Sequence, residues 1–353
     1  MRKPSIVFKD TFNRVGENTP SIIVREATMN DTKGLIKLYV SSGWKVNEEY
    51  VVKSIEFSNN NDYSKLFVLD FKGKVVGRAI LDTVFPPYAE IVNVVVHPDY
   101  RGMGLGSYLV KECIKRAIRA GYNVIYLMCD PLDRRLHKFY SRIGFLPGIL
   151  GNPAIPRGDM WLYYFGKGSF VRSFLERHPF TEFQVSRRRK KFYGLELYSV
   201  KWTDPISNEG LEIFIKGQPG QPKNGGTMPR FSAIRIRDMG LSLYCWVIEE
   251  NTKVREEGLG NFELYLLNDS DRTLLLDLKP LCSRGVEVLL ERSLDITIPP
   301  RQRLALKGVL RLSKNFNVKL EYLTFPTVIS SLTVKPLCKI ELIVSVGFNV
   351  ILN

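Results

Sequence analysis

A-E-I-V-N-V-V-V-H-P-D-Y-R-G-M-G-L-G, residues 89–106, reads as a buried strand that runs into a glycine-rich turn and then opens a helix. Gly102, Gly104 and Gly106 lack a Cβ, so the backbone there reaches conformations closed to other residues and its amides approach a ligand closely. Apolar side chains then recur at Leu109, Val110, Cys113, Ile114, Ala117 and Ile118. That spacing of about 3.6 residues predicts a helix over Ser107 to Ala120, with Gly121 as its C-cap. The first-turn N–H groups of such a helix have no partners within it, and the helix dipole adds partial positive charge there. A diphosphate satisfies both, so the stretch points to a phosphate-bearing cofactor.

Three patterns compete for the loop. A plain glycine turn between strand and helix has the same composition. A dinucleotide fingerprint needs G-x-G-x-x-G, but counting from Gly104 the third glycine position is Leu109. A P-loop needs Lys-Ser or Lys-Thr after the last glycine, whereas Ser107-Tyr108 follow Gly106. What remains is R-x-x-G-x-G, carried by Arg101, Gly104 and Gly106.

Val94-Val95-Val96, then H-P-D-Y and R-G-M-G-L-G, resembles the acetyl-CoA-binding motif of the GNAT superfamily of N-acyltransferases. The likeness extends along the chain in the family's order. I-I-V-R-E-A-T-M-N-D-T-K-G-L-I-K-L-Y (Ile22 to Tyr39) is similar to the family's first strand and helix. F-V-L-D-F-K-G-K-V-V-G-R-A-I-L (Phe67 to Leu81) is similar to its second and third strands, paired across Lys72-Gly73. V-I-Y-L-M (Val124 to Met128) corresponds to the fifth strand, and D-R-R-L-H-K-F-Y-S-R-I-G-F (Asp133 to Phe145) to the last helix with its Tyr-x-x-x-Gly-Phe ending. Residues of about 20 to 166 are covered, and the fold implied is a mixed central sheet flanked by helices.

The resemblance implies an acetyl-CoA site. The backbone of Val94, Val95 and Val96 is expected to bond the pantetheine arm, and Arg101, Gly102, Met103, Gly104, Leu105, Gly106 and Ser107 to hold the diphosphate. Asp133 stands where many members have asparagine near the pantetheine, a departure that bears on that contact. Glu90 stands where one branch of the superfamily places a general base, and Tyr140 where the family's tyrosine protonates the departing thiolate.

The residue chemistry runs alongside. If the strand alternates regularly, Glu90, Val92, Val94 and Val96 share a face on which Glu90 is the only ionisable side chain. An unpaired carboxylate beside apolar residues has a raised pKa, which suits a base near neutral pH. A strand-end glutamate facing solvent is the plainer alternative. A phenol titrating at about 10 serves a thiolate leaving group of about 8.5; Phe139 and Tyr140 equally suit core aromatics. Cys129 admits an acyl-cysteine, but a lone cysteine in an apolar strand is ordinary packing.

The amine acceptor is expected against Ser41 to Ser64, with Trp44, Glu48, Glu49 and Tyr50, and against the turn Phe85-Pro86-Pro87-Tyr88. Two glutamates and aromatics receive a cationic amine. They also suit ordinary helix surface.

At 353 residues the chain exceeds one ordinary domain, and its 44% hydrophobic and 25% charged composition is that of a globular protein. After Gly166 the texture changes to β-rich segments. Following a short helix over Ser169 to Arg177, strands are expected around 192–202, 211–215, 231–237, 241–248, 262–267, 273–278, 294–298, 304–312, 318–323 and 339–350. Turns are marked by Gly217 to Gly226, Asn268 to Asp271 and Pro299-Pro300. Many short strands without helices indicate a β-sandwich or barrel. From about residue 255 the segment loosely resembles an immunoglobulin-like sandwich. The expected organisation is α+β: a GNAT domain over 1–166, a linker over 167–190 and a β-sandwich domain over 191–353.

The formal charge is +15, shared by both halves of the chain. Its dense run is Arg187-Arg188-Arg189-Lys190-Lys191 beside Phe183, Phe192 and Tyr193. A basic run among aromatics suits nucleic acid; a solvated strand start is the reading favoured, and coenzyme A phosphates supply another partner for basic surface. Five cysteines without C-x-x-C spacing predict free thiols. His97, His137 and His178 stand apart in the sequence, so no metal is expected. Met1 to Pro20 has no apolar run and Leu342 to Leu352 is too short to span a bilayer, which gives cytoplasmic residence as the default.

Together these readings predict an N-acetyltransferase that moves an acetyl group from acetyl-CoA to an amine of a protein, peptide or small molecule, by direct attack in a ternary complex. The competing class is an acyl-CoA-binding or scaffold protein with vestigial catalysis, whose β-domain recognises a partner.

Overall fold

The computed structural model describes residues 22–83, 88–130, 132–147, 160–167, 169–186, 188–216, 230–250, 253–255, 259–282, 286–312, 324–335, 338–340 and 344–351. The chain divides into two compact units: Met1–Val84 with Ala89–Leu127, and Phe85–Tyr88 with Met128–Asn353. The expected border near residue 166 does not coincide with that division.

The first unit contains β1 (Ile22–Glu26), α1 (Thr32–Ser41), α2 (Glu48–Asn59), β2 (Ser64–Phe71), β3 (Lys74–Asp82), β4 (Tyr88–Val96), α3 (Leu105–Arg119) and the start of β5 (Val124–Cys129). Its strands lie in the order β1-β2-β3-β4-β5, and β1 to β4 pair antiparallel. The β2–β3 turn falls on Lys72-Gly73, both at positive φ, the geometry that a two-residue hairpin loop needs. The amphipathic pattern of α1 and α2 is used directly. Leu35, Leu38 and Tyr39 of α1 and Val51 and Ile55 of α2 pack on Leu66, Val68 and Val95 of the sheet.

Regular alternation along β4 does not hold. Val92 pairs with Ile80 but Val95 pairs with Arg78, so the strand carries one residue more than its partner over this interval. Asn93, at φ 52°, marks the irregularity. This is a β-bulge, which carries Val95 onto the face of Glu90 and Val92 in place of Val94 and Val96.

The second unit begins with α4 (Arg134–Ile143), β6 (Leu146–Pro147), β7 (Met160–Phe165) and α5 (Phe170–Arg177), after which strands take over. Its short helix α5 stands where one is expected, capped by Ser169, whose hydroxyl accepts from the Arg172 N–H. The residues expected as linker therefore hold α5 and β8 (Glu182–Val185).

One sheet combines β8, β10 (Leu195–Thr203), β11 (Gly210–Lys216), β12 (Arg230–Asp238), β13 (Leu241–Glu249), β15 (Leu259–Asn268), β19 (Arg303–Leu312) and β17 (Val286–Leu290), with β9 (Lys190–Phe192) paired to β10. The other combines β14 (Lys253–Arg255), β22 (Val344–Ile351), β20 (Thr324–Lys335), β16 (Leu274–Leu281) and β18 (Ile296–Ile298), with β21 (Cys338–Ile340) paired to β20. From β15 to β20 successive strands alternate between the two sheets. Strand β22 lies against β12 and β13 of the first sheet.

Several expected boundaries shift. The strand expected over 192–202 is a hairpin, because Tyr193 and Gly194 turn at positive φ between β9 and β10. The one expected over 339–350 is resolved as β21 and β22. Strands β14, β17 and β20 are absent from the sequence-based expectation. The turn Gly217 to Gly226 and the strand at 318–323 lie outside the described residues.

The basic run is only partly free. Lys190 pairs with Glu212 at 3.1 Å, and the Arg189 guanidinium lies 5.7 Å from the Tyr198 ring centroid. Arg187 lies outside the described residues. Cys113, Cys129 and Cys245 are buried and Cys282 half-buried, and none of the four is in a disulfide. No helix among the described residues is long and apolar enough to cross a membrane.

Candidate active site

The glycine loop is built by its own backbone. Gly102 and Gly104 adopt φ 80° and 81°, left-handed conformations that a side chain would strain. Gly104 is the N-cap of α3, and the first intrahelical bond runs from Tyr108 N–H to the Gly104 carbonyl at 3.0 Å. The helix thus starts two residues earlier than its apolar repeat predicts, and Gly106 and Ser107 belong to its first turn. The N–H groups of Leu105, Gly106 and Ser107 precede that first bond. No side chain caps this end and no acidic residue occupies the first turn. Leu105 is buried and anchors the turn, while Met103 is half-buried.

Arg101 is exposed, and its Nε donates to the Val96 carbonyl at 3.0 Å. The side chain thereby ties the loop to the end of β4, just past the bulge. Val95 is buried in the core of the first unit, with Val94 and Val96 half-buried on either side. A bulge leaves its extra residue out of the ladder, so strand backbone is released for other bonds where the resemblance expects the pantetheine arm.

Glu90 lies on β4 opposite Asp82 of β3. Its Oε2 accepts the phenolic hydrogen of Tyr126, on β5, at 2.9 Å. Burial pushes its carboxyl up to about 7; the Tyr126 hydrogen bond pulls the other way and the charge of Asp82 adds to the rise. Sequence reasoning missed Tyr126 as its partner. The available signal is weak, a tyrosine in an otherwise apolar strand.

Tyr140 and Asp133 belong to the second unit. Tyr140 is 7% exposed, with its ring edge-on to Phe139 at 4.9 Å and Phe145 at 5.6 Å. Burial, with a smaller contribution from Cys129, pushes its phenol up to about 12, so the group is a full proton donor at any working pH. Asp133 is the N-cap of α4, and its Oδ1 accepts from the N–H groups of Arg135 and Leu136 at 2.9 and 3.1 Å. Those bonds hold its carboxyl below the usual range. Its carboxylate already serves the helix.

The segment expected to meet the acceptor shows mostly helix-surface features. Glu48 and Glu49 occupy the first turn of α2, where they favour the helix dipole, and Glu49 pairs with Lys53 at 2.6 Å. Trp44 stacks on Tyr39 at 5.2 Å, and Tyr50 is exposed. The turn Phe85-Pro86-Pro87 lies outside the described residues. Sequence reasoning also missed Arg78 of β3, which is 1% exposed with Nε and Nη1 lacking hydrogen-bond partners. Its guanidinium lies 5.3 Å from the centroid of the Tyr39 ring, whose hydroxyl is likewise unpartnered.

Residues 32–145 match the acetyltransferase (GNAT) family. The chain is 33% identical over 137 residues to an uncharacterized N-acetyltransferase, ycf52, of Gracilaria tenuistipitata var. liui, covering 36% of this chain and 66% of that protein. It is 26% identical over 135 residues to an uncharacterized N-acetyltransferase of Methanocaldococcus jannaschii, covering 35% of this chain and 59% of that one. The chain thus spans about three-fifths to two-thirds of the length of these relatives. Among solved structures, the ribosomal-protein-S18-alanine N-acetyltransferase from Escherichia coli is similar at 20% identity and a TM-score of 0.35, over 41% of this chain and 94% of that one. The N-terminal region is an acetyltransferase domain of the GNAT family.

Proposed function

We propose that this protein is an N-acetyltransferase that uses acetyl-CoA to acetylate a primary amine of a protein, peptide or small molecule. The observation that carries the reading is the bare N-terminus of α3, opened by two left-handed glycines in the loop that follows the bulged strand β4. Backbone amides at Leu105, Gly106 and Ser107 would receive a diphosphate, with the partial positive charge of the helix end behind them. Gly102, Met103 and Gly104 shape the approach, and Arg101 fixes the loop to β4. Val94, Val95 and Val96 offer strand backbone to the pantetheine arm. Asp133 supports that arm only through the start of α4.

Acetyl-CoA supplies an activated thioester, and the acceptor amine attacks its carbonyl directly in a ternary complex. Glu90 takes the proton that the amine must lose, directly or through water. A carboxyl raised to about 7 is half-ionised at neutral pH and therefore an effective base there. Tyr140 returns a proton to the sulfur as the carbon–sulfur bond breaks. Positioning in the ternary complex supplies most of the acceleration.

The raised carboxyl of Glu90 favours catalysis over a binding protein with vestigial chemistry, because burying an ionisable side chain without use costs stability. The alternation of strands between two sheets supports a β-sandwich over residues 191–353, as a recognition module beside a catalytic domain over 1–166. Free buried cysteines support a reducing, cytoplasmic setting.

The test is incubation of the protein with labelled acetyl-CoA and a panel of amines, peptides and cell extract. Label is expected on an amine of one acceptor class and to accumulate at a strongly reduced rate with Glu90→Gln. Labelled coenzyme binding without any transfer would favour the binding-protein reading.

A further inference from the structure

Four ionisable side chains far apart in the sequence meet in the second unit. His178 follows the last turn of α5, Asp204 and Glu209 flank the turn between β10 and β11, and Asp238 ends β12. His178 is 8% exposed and Asp238 is 1% exposed. The Nδ1 of His178 lies 3.0 Å from Asp204 Oδ2. Its Nε2 lies 3.1 Å from both Asp238 Oδ1 and Glu209 Oε2. Ligand atoms of His178, Glu209 and Asp238 all fall within 4.8 Å of one another.

Each carboxylate facing Nε2 is aimed from outside the cluster. Arg177 Nη2 donates to Asp238 Oδ2, leaving Oδ1 for the imidazole. The Met239 main-chain N–H donates to Glu209 Oε1 at 3.0 Å, leaving Oε2. Asp204 is fixed in turn by the Ile206 N–H and the Ser207 hydroxyl, both at 3.0 Å.

A neutral imidazole has a single N–H. When Nδ1 donates it to Asp204, Nε2 presents a lone pair to two carboxylate oxygens, an arrangement that a metal cation or a second ring proton at that point makes favourable. Three carboxylates against the single guanidinium of Arg177 leave two negative charges around that neutral ring. A dication balances them, whereas a proton on Nε2 leaves one over.

We propose that His178, Glu209 and Asp238 bind a divalent transition-metal ion, with zinc as the ion their donors suit, and that Asp204 is a positioning residue that orients His178 from its other nitrogen. One imidazole nitrogen and two carboxylate oxygens are ordinary zinc ligands at about 2.0–2.2 Å, and a three-ligand set keeps a fourth position for water. A carboxylate on the far nitrogen of a metal-bound histidine fixes its tautomer and raises its basicity. The Glu209 side chain is 26% exposed, which gives the ion a path from solvent. By joining α5, the β10–β11 turn and the end of β12, the ion would act as a clasp within the strand-rich unit. The proposal stands independently of acetyl transfer.

The full chain, stripped with a chelator, is titrated with zinc against a chromophoric competitor, and its metal content is measured after gel filtration. One zinc per chain is expected. X-ray absorption of the wild-type complex is expected to show nitrogen and oxygen ligands and no sulfur. Glu209→Gln, a partly exposed and isosteric change, should weaken binding at least about tenfold, and Asp204→Asn by about 10- to 100-fold. Absence of stoichiometric zinc, sulfur ligation, or wild-type affinity in a folded Glu209→Gln protein overturns the proposal and leaves a proton-held imidazolium.

Discussion

Half-buried Glu90 and buried Tyr140 both hold a proton more tightly than in water, but the effect differs with their chemistry. For Tyr140 a phenol pushed up to about 12 remains protonated, so it only donates. Tyr140→Phe should lower kcat by about 100-fold or more while leaving acetyl-CoA binding nearly unchanged, as read by steady-state kinetics and titration. For Glu90, acting as the proposed base, a value of about 7 should place an acid limb in the pH profile of kcat/KM, with activity rising as the carboxyl ionises. The Tyr126 hydrogen bond favours the charged form, so Tyr126→Phe should move that limb to higher pH and Glu90→Gln should abolish it. Stability runs in the opposite sense. The folded state holds this proton more tightly than the unfolded chain, so stability is full below about pH 4.5 and falls as pH rises through 7. That Glu90 stands on the strand before the glycine loop was legible in the sequence. Its partner was not, because the β4–β5 pairing that brings Tyr126 to it joins residues 36 positions apart.

At the scale of elements, helices and hairpins of the N-terminal part were legible because local rules set them: the apolar repeat of α3 and the Lys72-Gly73 turn in the first unit, and the left-handed Gly144 after α4 at the start of the second. The bulge in β4 was not, since a two-residue period gives no sign of an inserted residue. In the second unit β20 went unrecognised: Pro326 and the Ser330-Ser331 pair interrupt its apolar pattern, and pairing with β16 and β22 supplies what the local sequence lacks. The pairing of β15 with β19 sets Phe262 opposite Gly308. A Cβ at Gly308 would stand 2.1 Å from the Phe262 ring, so the bare glycine is the seat on which that buried ring lies. Gly308→Ala should therefore cost about 1–3 kcal/mol of unfolding free energy in denaturant titration. Combining it with Phe262→Leu, which removes the clashing ring, should recover part of that loss, measured as a double-mutant cycle.

For the whole molecule, composition indicated a folded chain of more than one domain, and the change of texture after Gly166 located the strand-rich part. The meeting of His178 with Asp204, Glu209 and Asp238 was invisible for the opposite reason. These residues lie 26 to 60 positions from the histidine, and no spacing rule spans such distances. The surplus of fifteen positive charges is spread over the chain, and coenzyme A is a polyanion. Raising salt from about 0.05 to 0.5 M should accordingly weaken acetyl-CoA association, mainly through a slower on-rate in stopped-flow binding. The most direct measurement is calorimetric titration of acetyl-CoA into the full chain and into its Gly104→Ala variant. One site per chain is predicted, weakened about tenfold or more in the variant, where an alanine must hold a left-handed backbone at a cost of about 1–2 kcal/mol. No association with the wild-type chain, or equal affinity in a folded variant, would contradict the account.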